Sequence, residues 1–373
     1  MPQYNLPVEE NKNSEHGNLT YHQKVIVIGA STGGFEAFKM IIRNLPPDFN
    51  IPIFIVWHMS PDIHGVLPEV LNRENTIYAA NAYDHEPIAS NRIYVAPPDH
   101  HLLIEYGSVR ITHGPKENRF RPAVDPLFRS AAYVYGNRVI GVILSGGLDD
   151  GTAGLWAVKH FGGIAIVQDP LEAEVASMPE NALREVNIDY CVGISEMADL
   201  LVRLSKEPLI ENAGVMKDEQ TKKEIEIAAE ECAMKNGHLH FGELTPFACP
   251  ECYGVLSRLR NDNIVRYRCH TGHAYSVDTL LASVTEKVED SLYNAIRGMD
   301  ESVMMLNYIG DHFAESNQPG FAASYFNKAK EIDERSQLVR KAAHSNEQLS
   351  KEYLQQHIST ENNDIGIKIP SLK

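Results

Sequence analysis

The sequence predicts an α/β protein built on an open, doubly wound, mostly parallel sheet, with a small Cys/His ribbon and a helical hairpin after it. Three observations predict this. Val- and Ile-rich runs recur between residues 24 and 204 and are nearly continuous in apolar residues. Strands have that character when helices cover both faces of a parallel sheet. The stretches between the runs carry helical spacing, which completes a Rossmann-like layering. Beyond residue 206 the composition shifts to a charged stretch, then to one bearing Cys and His, then to apolar residues at steps of three and four.

Taken in order, residues 1–22 are polar and acidic and read as a disordered tail without the basic start and apolar stretch of a secretory signal. The domain over 23–206 has strands at KVIVIGA (24–30), IPIFIVWHM (51–59), RIYVAP (92–97), VIGVILSGG (139–147) and GIAIVQD (163–169). LLIEYGSVRIT (102–112) is broken by Tyr-Gly-Ser and reads as a hairpin. Residues 207–239, around KDEQTKKEIEIAAEE, read as a linker helix, and residues 240–276 as the ribbon. Val277, Leu281, Val284, Val288 and Leu292 begin a single apolar stripe along a helix. Asn317 to Gly320 interrupts it, and a second helix completes a hairpin over 277–356. Residues 357–373 read as another disordered tail.

A length of 373 residues suggests two or three domains. The net charge of -16 opposes binding to a phosphate backbone, which needs clustered Lys and Arg. No apolar run approaches the ~20 residues of a membrane span. Neither a nucleic-acid partner nor membrane insertion is therefore expected. Three of the five cysteines crowd into 249–269, which favours a reducing, cytoplasmic setting and a metal site over a disulfide framework. Cys191, in a strand, and Cys232, in a helix, read as core thiols.

GASTGG (29–34) follows the first strand and opens a helix. Such a turn can cradle a phosphate or display a nucleophile. A dinucleotide fingerprint would need glycine where Ser31 stands and an acid at the end of the next strand, where the sequence reads Trp57-His58-Met59. The same residues spell Gly-x-Ser-x-Gly, with Ser31 at the centre. His58 ends the next strand, and Asp150 follows another strand in LSGGLDDG (144–151). The carboxyl ends of parallel strands converge on one crevice, so a nucleophile, a base and an orienting acid can meet there. Taken singly, each has a plainer role: a structural serine, a satisfied histidine, and Asp149 and Asp150 as turn or capping residues.

VIGASTGGFEAF (27–38), VWHMSP (56–61), APPDHHLL (96–103), RPAVDPLFRS (121–130), GVILSGGLDDGTAGL (141–155), QDP (168–170) and SMPENAL (177–183) resemble, in the same order, the segments of the CheB chemotaxis methylesterases. The resemblance implies a serine hydrolase without a catalytic cofactor, acting on glutamyl methyl esters of chemoreceptors and deamidating glutamine there. By motif position it implies Ser31 as nucleophile, His58 as base and Asp150 as orienting acid, with Thr32 in the active site and Arg121 toward substrate. Gly147 stands where the family has a methionine beside the oxyanion. Too few residues precede the first strand for the receiver domain of about a hundred residues that regulated members carry. The rival reading is a non-catalytic signalling protein on the same fold.

The ribbon reads CPEC (249–252) and then CHTGH (269–273). Cys-x₂-Cys followed by Cys-x₃-His suits a closed tetrahedral zinc site of Cys249, Cys252, Cys269 and His273, with His270 as the alternative to His273. Such a closed site is structural. The hairpin after it can form a homodimer, dock on a receptor helix bundle, or simply pack on the ribbon.

Overall fold

The computed structural model describes residues 23–58, 66–74, 77–209, 218–229, 242–347 and 349. Both expected tails lie outside these residues, as does Cys232. The chain divides into two compact units, Met1–Leu239 and His240–Lys373.

The first unit runs β1 (Val25–Ala30), α1 (Gly34–Asn44), β2 (Ile53–Trp57), α2 (Val66–Glu74), β3 (Tyr78–Asn81), β4 (Arg92–Val95), β5 (His101–Ile104) and β6 (Val109–Thr112). It continues with α3 (Val124–Tyr135), β7 (Val139–Ile143), α4 (Thr152–His160), β8 (Ile164–Gln168), α5 (Ser177–Glu185), β9 (Tyr190–Val192), α6 (Ile194–Lys206) and α7 (Glu219–Ala228). The main sheet has the order β3-β4-β2-β1-β7-β8-β9, with every described pair parallel. Strands β1, β4 and β7 are buried at every position. That burial on both faces is why their sequences do not alternate. Fully burying one isoleucine such as Ile28 contributes about 1.5–3 kcal/mol, so a sheet covered twice suits β-branched residues throughout. The main core packs α1 and α6 against one face through Phe38, Ile41, Ile42, Met197 and Leu201. Helices α3 and α4 pack together, with α3 also against β1 and α4 against β7 and β8.

The chain moves outward from β1 to β2 and returns to β1's other side with β7, so the topological switch lies between β1 and β7. Ligand crevices of open α/β sheets form at the carboxyl ends of strands at such a point. The hairpin expected over 102–112 is β5–β6, a separate antiparallel pair. Two expectations need correction. Cys191 is exposed on the edge strand β9 and is no core thiol. Within the stretch expected as a linker, α7 packs on α3 and buries Thr221, Glu224, Ile227 and Ala228.

The second unit runs β10 (Glu243–Ala248), β11 (Val255–Asn261), β12 (Ile264–Cys269), β13 (Ala274–Ser276), α8 (Val277–Glu315) and α9 (Pro319–His344). Its four strands form one antiparallel sheet in sequential order. Ser276 caps α8, accepting from the Thr279 N–H while Thr279 Oγ1 accepts from the Ser276 N–H. Helix α8 has 39 residues, about 58 Å at 1.5 Å per residue, and packs antiparallel-fashion as a hairpin with α9. No helix among the described residues is long and apolar enough to cross a membrane.

Candidate active site

Ser31, His58 and Asp150 leave the carboxyl ends of β1, β2 and β7. Ala30 lies opposite Trp57 in the β1–β2 register, so Ser31 and His58 are the next residues of neighbouring strands. The His58 N–H donates to Ala30 O at 3.1 Å, and Trp57 Nε1–H donates to Ser31 O at 3.0 Å. Both bonds tie the two strand ends together. Between Ser31 and α1 the chain turns through Thr32 and Gly33, whose φ of 80° lies in the left-handed region that favours glycine. The Ser31 N–H donates to Ser145 O at 2.9 Å, and Ser145 Oγ donates to Thr32 O at 2.7 Å. The loop after β7 thereby grips the Ser31 turn from its other side. Thr32 is exposed at the mouth of this turn.

His58 is 8% exposed, and its Nε2 lies 2.8 Å from Asp150 Oδ2. An ionised carboxylate can only accept, so Nε2 carries the proton. The other nitrogen, Nδ1, is buried and has no hydrogen-bond partner among the described residues. It is the atom free to accept a proton. Phe120 stacks on the imidazole at 3.7 Å between centroids and 9° between planes, which sets the ring's face. The His58 ring is thus held by an edge bond and a stacked face.

Asp150 is 1% exposed. Oδ2 accepts from the Val124 N–H at 2.6 Å as well as from His58. Oδ1 accepts from Asn118 Nδ2 at 2.8 Å and from the N–H groups of Gly151 at 3.0 Å and Asp125 at 3.3 Å. Burial pushes this carboxyl up, but the bond from His58, its charge, and those from Val124 and Asn118 outweigh burial and hold it below the usual carboxylate range. It stays an anion while buried.

Gly146 and Gly147 differ sharply. A Cβ on Gly146 would sit 2.1 Å from Met178 Sδ and 2.8 Å from Ser31 Cβ. A Cβ on Gly147 would meet nothing within 4 Å. A side chain at position 147 would therefore enter open space. Met178 and Asn181 of α5 secure this loop: the Met178 N–H donates to Gly146 O at 2.8 Å and Asn181 Nδ2 to Leu148 O at 2.9 Å. Arg121, expected toward substrate, is engaged by Asp99, with Nε and Nη2 at 2.9 and 2.8 Å from Oδ1, and donates through Nη1 to Gly114 O at 2.8 Å. Asn118, Phe120, Met178 and Asn181 were missed by residue-level reasoning. Their signal is the block resemblance of 177–183 and the segment just before Arg121.

In the second unit, Cys249, Cys252, Cys269 and His273 have one ligand atom each, all within 4.8 Å of one another. Cys252 Sγ and Cys269 Sγ are 3.6 Å apart, and His273 Nδ1 lies 3.7 and 3.6 Å from the sulfurs of Cys249 and Cys269. Sulfurs 2.3 Å from a tetrahedral zinc would be about 3.8 Å apart, so the spacing and the donor set fit that ion. Two tight turns present the ligands, one closed by Tyr253 N–H to Cys249 O at 2.8 Å and the other by Gly272 N–H to Cys269 O at 3.0 Å. His270 is exposed and lies over Gly254, outside the cluster.

Comparison with known proteins locates the first unit. A family model described as CheB methylesterase matches residues 26–201. A protein of Leptospira interrogans, provisionally named protein-glutamate methylesterase/protein-glutamine glutaminase, is 42% identical over 187 residues, 50% of this chain and 97% of the relative. A Pectobacterium atrosepticum protein-glutamate methylesterase/protein-glutamine glutaminase is 34% identical over 206 residues, but the chain covers 59% of its length. The crystal structure of the Thermotoga maritima CheB methylesterase catalytic domain is 36% identical, with 49% of this chain and 98% of that one covered at a TM-score of 0.47. The Leptospira relative is matched almost end to end by the unit that carries Ser31, His58 and Asp150, and the chain belongs to the CheB methylesterase family.

Proposed function

We propose that the chain is a serine hydrolase that removes methyl esters from glutamate side chains of chemoreceptor-type proteins, releasing methanol, and that deamidates glutamine at the same centre. The names of its relatives support the substrate class. The observation that carries the reaction is the His58 ring, protonated at Nε2 toward buried Asp150 and without a hydrogen-bond partner at Nδ1 among the described residues, on the strand end next to that of Ser31. Nδ1 takes the Ser31 proton as Oγ attacks the ester carbonyl carbon. The imidazolium so formed is stabilised by Asp150 and then protonates the departing methoxide. Water, deprotonated by the same nitrogen, attacks the acyl-serine; the acyl carbon–Oγ bond breaks, the imidazolium returns the proton to Ser31 Oγ, and the glutamate is freed. The oxyanion falls to backbone donors at the start of α1 and to the Gly147 N–H, which makes no hydrogen bond among the described residues.

Zinc held by Cys249, Cys252, Cys269 and His273 would be structural, since four protein ligands leave no position for substrate. The exposed Met304, Met305 and Tyr308 of α8 and Leu338 of α9 support self-association through the hairpin. The reaction is tested by methanol release from a methylated receptor cytoplasmic fragment. The native chain should release methanol and Ser31→Ala should lose about 10⁴-fold or more in rate. Equal release by the two would refute the assignment.

A further inference from the structure

Helix α7 lies beyond the family-matched residues 26–201, yet it is built into the support of the candidate triad. Its Glu224 has a side chain 1% exposed, with Oε2 at 3.4 Å from Arg129 Nη1 on α3. Arg129 is itself buried, and its Nη2 donates to both Glu117 oxygens at 2.8 and 3.0 Å. Glu117 opens a tight turn that Phe120 closes, with backbone bonds in both directions at 3.2 and 2.9 Å. Between them stand Asn118 and Arg119, with φ of 50° and 78°, conformations that non-glycine residues keep only where the surroundings impose them.

This turn carries two of the contacts that set the triad. Asn118 Nδ2 donates to Asp150 Oδ1 and to Asp125 Oδ2, both at 2.8 Å, and Phe120 stacks on His58. Helix α7 also holds the chain leading into the turn. Thr112 Oγ1 donates to Ala228 O at 2.6 Å, and a Cβ on Gly114 would fall 2.3 Å from that same oxygen. The helix thus grips the segment 112–120 near its start and, through Arg129, near its end.

We infer that α7 is a positioning helix for the triad, acting through Glu224, Arg129 and Glu117 on the turn that holds Asn118 and Phe120. This rests on the hydrolytic reading above. The physical reason is charge balance in a buried place. Arg129 is shared by carboxylates on two elements, and Asp125 lies close enough to be felt electrostatically. With Glu224 neutralised, Arg129 is drawn toward Glu117 and Asp125 alone. Asp125 is the second acceptor of Asn118, so the amide that steadies Asp150 shifts with it.

The test is the reaction of Ser31 with a fluorophosphonate, in which Oγ displaces fluoride from phosphorus and its proton passes to His58. It is run on the full chain, separating the maximal rate from the apparent affinity. Glu224→Gln, which keeps the shape and removes the charge, should slow the maximal rate about tenfold at unchanged affinity. Glu224→Asp should recover most of it. Adding Glu224→Gln to Asn118→Ala should cost little more than Asn118→Ala alone, because both act on one carboxylate. Lys222→Ala on the exposed side of α7 should match the native chain. Native-like reaction of Glu224→Gln, or full additivity in the double variant, would overturn the inference while leaving the hydrolase reading intact. Failure of the native chain itself to react at Ser31 would count against the hydrolase reading and this role together.

Discussion

Asp150 shows how one buried atom set decides a tautomer. Its two oxygens receive five hydrogen bonds, all from donors. An amide in its place must turn an N–H₂ on some of them. If that group faces His58, the imidazole must accept at Nε2 and carry its proton at Nδ1, the atom proposed to accept the Ser31 proton. Asp150→Asn should therefore lower the ester hydrolysis rate by on the order of 10⁴. Asp149, half-buried and outside this set of donors, should tolerate asparagine within about threefold. A reversed order of the two variants would move the acid by one residue. The same carboxyl has a pH signature. Its folded pKa is lowered, so the stability it contributes is complete above the unfolded value near 3.9 and is lost as pH falls through the lower folded value.

At the scale of elements, the loop after β7 separates two neighbouring glycines by what surrounds them. Gly146→Ala must push either Met178 Sδ or Ser31 Cβ aside, and a proposed nucleophile displaced from its place loses its attack geometry. A loss of at least about tenfold in hydrolysis is expected. Gly147→Met enters open space and keeps the backbone N–H, so it should stay within about threefold of native. Comparable losses in both would mean that the loop, and not the contact with Ser31, is at fault. The same scale explains what was legible in the sequence. β1 and β7 announce themselves because both faces are buried. β3, four residues with an exposed Tyr78 and two alanines at the sheet edge, carries no comparable pattern and was missed. Helix α7 reads as a linker because its composition is charged, with Glu224 among the charges, whereas Glu224 is buried in an ion pair with Arg129. Ser31, His58 and Asp150 are legible as candidates because strand ends converge and motifs mark them. Asn118 and Phe120 sit in an aperiodic turn whose importance comes from contacts distant in sequence.

For the whole molecule, the two units differ in what holds them folded. The first has a doubly covered sheet and an extended apolar core. The core of the second clusters Leu256, Tyr275 and Leu280 around Cys249 and Cys269, so two of the four proposed metal ligands are themselves core residues. Three thiols and an imidazole gathered within 4.8 Å, without an ion between them, form a poor substitute for apolar packing. Small sheets of this kind draw on the binding free energy of the metal, because the unfolded chain has no preformed site. The purified chain should accordingly hold close to one zinc per molecule, and Cys249→Ser should hold well under half. Chelation should lower the melting temperature of one transition by roughly 10 °C or more and expose reactive thiols, since a metal bound only by the folded state stabilises it in proportion to RT ln(1 + [L]/Kd). The Ser31 turn is bonded to Ser145 and Trp57 within the first unit, so its reaction with a fluorophosphonate should continue at the native rate after chelation. A chelated chain that melts unchanged would show the four ligands to be a packed cluster without a metal. One that stops reacting at Ser31 would show that the second unit governs the first.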